Sequence, residues 1–164
     1  MFDYKAFYGY IGHLEQKVLK KENILAESDN YLIYYECESV ELYIKNKEIP
    51  MILVGDHYGN PNDALISRQE DYLVSVGCGI NLAFIKNINN NGYRYHCKFE
   101  EFLNIPENEW CVYKVFQAEE DPNEIFRFHC SNFDFDLAEY SFNTISKEII
   151  LCKVVEDLPD PNAL

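Results

Sequence analysis

The chain has 164 residues, with 28 Asp and Glu against 14 Lys and Arg, and a formal charge of −14 at neutral pH. Affinity for nucleic acid draws on cationic groups that displace counterions from phosphates, and attachment to an anionic bilayer needs the same groups, so this composition argues against both partners. At 48% hydrophobic and 15% aromatic residues, the chain holds enough apolar surface for a packed core.

Near the start, Tyr4, Phe7, Tyr8, Ile11, Leu14 and Val18 recur at spacings of three and four. This predicts one amphipathic helix between Tyr4 and Lys20, weakened by Gly9 and Gly12. From there on the chain reads as strands. Residues 31–37, 40–44, 49–54, 72–76, 80–85, 93–99, 110–116, 125–128 and 149–155 are rich in aromatic and β-branched side chains, with turn formers between them. Asn91-Gly92 accepts positive φ at both positions and predicts a hairpin with arms 85–88 and 93–97. Residues 99–103, ahead of Pro106, are expected to make a short helical turn. The expected fold is mainly β (α+β). It is a single antiparallel β-rich domain over residues 1–157, with the N-terminal helix and at most one further short helix. The Pro-rich residues 158–164 are a tail that frays.

Residues 1–12 carry Asp3 and lack the basic stretch and apolar core of an export signal, and no apolar run reaches the 18 or so residues of a membrane helix. The expected compartment is therefore the cytoplasm. There the six cysteines (37, 78, 97, 111, 130 and 152) stay reduced, as small apolar groups.

Three segments have the composition of a chemical site. Asp56, His57 and Asp63 lie within eight residues, and carboxylate beside imidazole is the make-up of a general acid/base pair. The same stretch holds Gly55, Gly59, Asn60, Pro61 and Asn62, which favour a wide turn whose Asx side chains bond backbone amides. Ser67 lacks the glycine elbow of a hydrolase nucleophile. His96-Cys97 and His129-Cys130, with Cys78 and Cys111, supply zinc-ligand types. However, no Cys-X2-Cys or His-X3-His knuckle orients them, and adjacent residues of a strand point to opposite faces. Gly77-Cys78-Gly79 lacks the remainder of a phosphate loop and reads as a tight strand connection. No catalytic residue, cofactor or metal is assigned.

Charge is the most informative pattern. Residues 1–98 hold 13 acids and 10 bases (−3), whereas residues 99–164 hold 15 acids and 4 bases (−11). Aromatic residues interleave with the acids in this second part, and aromatic anchors ringed by charge suit a docking face for a cationic protein. The residues assigned to it are Trp110, Tyr113, Glu119, Glu120, Asp121, Glu124, Asp134 and Asp136.

Residues 55–67 and 71–79, with their glycine-bounded turn and Gly77-Cys78-Gly79, resemble a hairpin of small bacterial immunity proteins, the antidotes of polymorphic and contact-dependent toxins. That resemblance implies a non-enzymatic protein that binds a cognate basic, nuclease-type toxin domain and blocks its active site. The rival readings are a small hydrolase built on Asp56, His57 and Asp63, and a metal-binding structural module.

Overall fold

Phe126, Phe128 and Cys130 alternate with Arg127, His129 and Ser131, and a period of two gives a strand one apolar and one polar face. This pattern, repeated with variations, builds the molecule. The computed structural model describes residues 20–45, 52–87, 97–98, 110–131 and 137–155, with backbone alone at 97–98.

Three antiparallel four-stranded meanders follow one another along the chain. The N-terminal sheet is β1 (Ile24–Glu27), β2 (Tyr31–Glu36), β3 (Ser39–Ile44) and β4 (Ile52–Asp56). The middle sheet is β5 (Asp63–Ile66), β6 (Tyr72–Gly77), β7 (Gly79–Phe84) and β8 (Cys97–Lys98). The C-terminal sheet is β9 (Cys111–Phe116), β10 (Ile125–Ser131), β11 (Ala138–Asn143) and β12 (Ile149–Val154).

The middle sheet is sandwiched. On one side Tyr72, Val74, Val76, Ile80 and Leu82 share a core with Val112, Val115, Phe126, Phe128, Cys130, Ala138, Tyr140 and Phe142 of the C-terminal sheet. On the other, Ala64, Leu73 and Ala83 pack on Ile33, Val40, Leu42, Ile52 and Val54 of the N-terminal sheet. Burial on both faces explains why every residue of β6 is buried, as in the strands of covered sheets. A smaller cluster of Leu32, Tyr34 and Tyr43 occupies the far face of the N-terminal sheet.

The mainly antiparallel β architecture agrees with the sequence reading. Gly77 pairs with Gly79 across the single residue Cys78, and Gly79 takes φ of 87°, so this is the tight connection expected. Three strands, β1, β5 and β11, were not foreseen. The predicted hairpin needs correction, because its first arm is a 3-10 turn (Ile85–Asn87) whose Ile85 N–H is held by the Asp71 carbonyl. The antiparallel return pairs Asn81 with Lys98 and Leu82 with Cys97 instead. The predicted helix over 4–20 and the turn over 99–103 lie outside the described residues, apart from Lys20, which precedes a 3-10 turn (Lys21–Asn23). The described residues hold no α-helix, and none of their helices is long and apolar enough to cross a membrane.

Candidate functional site

The connection between β9 and β10 carries the acidic run Glu119-Glu120-Asp121 and is fixed from three directions. Asp121 N–H bonds the Ala118 carbonyl at 3.1 Å and Ile125 N–H bonds that of Pro122 at 3.0 Å, closing two successive turns. From the middle sheet's β5–β6 loop, the Arg68 guanidinium donates to the Glu119 carbonyl at 2.8 Å and to the Asp121 carbonyl. The Tyr72 hydroxyl and Gln117 Nε2 both donate to the Asn123 carbonyl, at 2.9 and 2.8 Å. A turn held this way is ordered before any partner arrives.

Asp121 itself is turned inward. Its carboxylate accepts two hydrogen bonds from Arg127, Nε at 2.8 Å and Nη2 at 2.7 Å, and a third from Ala118 N–H at 3.2 Å. The bonds from Arg127 hold its carboxyl below the usual 3.8 despite burial. Arg127 also meets Glu139 at 3.4 Å and Glu120 at 3.2 Å. Glu139, 6% exposed, further receives His129 Nε2 at 3.0 Å and Lys153 Nζ at 3.1 Å. Burial raises the Glu139 pKa, but the hydrogen bonds from His129, Lys153 and Arg127 outweigh it and leave the carboxyl below its usual 4.5.

These two carboxylates make stability depend on acid. A pKa lowered by folding contributes stability that is present above the unfolded value and lost as pH falls through the folded one. The urea midpoint is therefore expected to hold from neutral down to about pH 5 and to fall steeply below about pH 4. Asp121→Asn should show a shallower fall across the same window, measured by denaturation at each pH.

Of the predicted docking residues, Glu119 and Glu120 are exposed, and the Glu120 side chain is 71% exposed even while it touches Arg127. Glu124 is half-buried beside them. Tyr113 is 42% exposed, its hydroxyl 3.1 Å from Ser131 Oγ. Trp110 packs against the aromatic core instead, with its ring 5.2 Å from Tyr140 and 6.1 Å from Phe128. Asp134 and Asp136 lie outside the described residues. Sequence reasoning missed Arg68 and Arg127, the cations that fix the turn, and the bracing of Arg127 by Glu139. Arg127 was findable, since it stands at an outward position of the β10 alternation, six residues from Asp121.

The Asp-His segment resolves differently. Nε2 of His57 lies 2.9 Å from Ser75 Oγ and 3.1 Å from Asn81 Nδ2, while Nδ1 lies 3.5 Å from the Cys78 carbonyl. Asn81 also donates to the Asp56 carbonyl at 2.8 Å. Room for this cluster comes from two strand glycines, because a Cβ on Gly77 would stand 3.1 Å from His57 Nδ1 and one on Gly55 3.0 Å from Asn81 Cβ.

A hydroxyl at that distance from an imidazole has the spacing of a nucleophile and its base. Yet Ser75, Asn81 and His57 are 0%, 3% and 5% exposed, and no carbonyl substrate can approach them. Their arrangement satisfies buried polar groups between two sheets. Asp63 opens β5 rather than lying in the turn: it accepts Ala64 N–H at 2.9 Å and Val115 N–H at 3.1 Å, so it ties β5 to β9. Ser67 caps the β5–β6 turn by accepting Asp71 and Tyr72 N–H. His129 and Cys130 do point to opposite faces of β10, and among the described residues no three His, Cys, Asp or Glu side chains stand close enough to hold a metal ion.

No family model matches this chain, and a comparison with curated proteins finds no relative.

Proposed function

We propose that this chain is a non-enzymatic acidic binding protein of the immunity type, acting in the cytoplasm on a cognate basic, nuclease-type toxin domain by covering its active site. The observation that carries the reading is the pre-ordered β9–β10 turn. Arg68 and Arg127 hold its backbone and Asp121, and Glu119 and Glu120 are left facing solvent. Fixing the turn in advance lowers the ordering cost of association, and like-signed carboxylates at its tip steer a cationic partner. Tyr113, exposed on the same sheet, supplies an aromatic contact; Asp121 serves by holding the turn, and Trp110 by packing in the aromatic core of that sheet. The burial of Ser75 and His57 favours this reading over a hydrolase.

The test is capture from a lysate of the source cell on the immobilised full chain, with identification of what is bound. At about 0.01 M salt a basic protein is expected, and it should be released near 1 M, where the Debye length has shrunk from about 30 to about 3 Å. The Glu119→Lys/Glu120→Lys double variant should retain little of it. Equal capture by wild type and double variant would remove this turn from the interface.

A further inference from the structure

The middle and C-terminal sheets meet at one isolated antiparallel bridge, and both residues of that bridge are cysteines: Cys78, at the apex of the β6–β7 connection, and Cys111, the first residue of β9. Gly79 N–H donates to the Trp110 carbonyl at 2.9 Å. A bond from the residue after one partner to the residue before the other marks a non-hydrogen-bonded pair. In such a pair the two side chains leave the same face and the Cα atoms stand about 4.5 Å apart. A disulfide spans Cα separations of roughly 4.4–6.8 Å, so the bridge already has the backbone geometry that one requires. Both cysteines are half-buried free thiols, within reach of a small oxidant. Burial raises the Cys78 thiol's pKa, and the neighbouring Cys111 raises it further.

We infer that Cys78 and Cys111 are a redox modification site, which closes to an intrachain disulfide on exposure to a low-molecular-weight disulfide such as oxidised glutathione. One thiolate of the pair attacks glutathione disulfide, forming a mixed disulfide and releasing one glutathione. The second thiolate then displaces the other glutathione and forms the Cys78–Cys111 bond. The pair loses two electrons, which reduce glutathione disulfide to two thiols, and the two cysteine protons end on those thiols. The other cysteines whose side chains are described are placed differently. Cys37 and Cys152 are exposed on β2–β3 and β12, while Cys130 is fully buried, its thiol pushed up to about 12 by that burial. The bond fastens the start of β9, and so the sheet that carries the acidic turn, to the middle layer.

The experiment treats the reduced full chain with oxidised glutathione, blocks remaining thiols with an alkylating agent, and maps tryptic peptides by mass spectrometry. Cleavage after Lys and Arg places each of the six cysteines in its own peptide, with Cys78 in 69–86 and Cys111 in 99–114. The expected product is 69–86 joined to 99–114, reversed by dithiothreitol, with Tm raised by roughly 5–10 °C from closure of the intervening loop. Cys78→Ser should abolish the joined peptide. The inference is overturned if both peptides come back alkylated or merely glutathionylated, or if either is found joined to a different cysteine peptide.

Discussion

Phe128→Ala is expected to cost roughly 3–5 kcal/mol of stability, read as a lower urea midpoint at unchanged slope. Phe128 is fully buried at the centre of the larger core. Its ring stacks on Tyr140 at 5.6 Å and lies 6.1 Å from Trp110 and 6.2 Å from Phe126. Neighbours so constrained cannot collapse into the space left by a lost ring, so a cavity adds to the lost transfer energy. Domains of this size have only about 5–15 kcal/mol to lose, which makes the change severe. Phe128→Leu keeps most of the volume and should cost under about 2 kcal/mol. A cost under about 1 kcal/mol for the alanine variant would mean that the two sheets do not share the core described.

Arg127→Met is the second large effect, expected at about 3 kcal/mol or more. Removing one partner of a buried ion pair leaves the other uncompensated, and here that falls on Asp121, 8% exposed, while Glu139 keeps His129 and Lys153. Arg127 itself is 25% exposed, so solvent screens its contact with the buried Asp121 only in part. The same variant should flatten the acid dependence of stability, because the carboxyl pKa values are no longer held down by the guanidinium. Arg127→Lys retains the charge but cannot reproduce the two-point contact with Asp121, and should fall between wild type and methionine. If methionine is tolerated with no change in midpoint or in pH response, the turn is not fixed in the way proposed.

Most of the sheet structure was legible because aromatic and β-branched runs mark strands wherever one face is buried. The bounds of β2, β3, β6, β7, β9 and β12 differ from the sequence reading by one residue or less at each end. The strands that escaped lack that mark. β11, Ala138–Asn143, interleaves Ala138, Tyr140 and Phe142 with Glu139, Ser141 and Asn143, and acidic and amide residues disfavour a strand reading. β5 has four residues and begins on Asp63, which turn chemistry had claimed. The candidate site was half legible. Its carboxylates stand in a row in the sequence, whereas the arginine that braces their backbone, Arg68, comes from more than fifty residues earlier and carries no local signal. Composition also could not say which acids face outward: Asp121 and Glu120 are neighbours in the chain, yet one is buried and the other exposed.

The most direct measurement is the association rate of the captured cationic partner with wild type and with Glu119→Lys/Glu120→Lys, followed across a salt series. The expected result is a wild-type rate that falls steeply with ionic strength, and a double variant slower by about tenfold or more at low salt, the two converging at high salt. Identical rates for the two proteins at low salt would contradict docking through the β9–β10 turn.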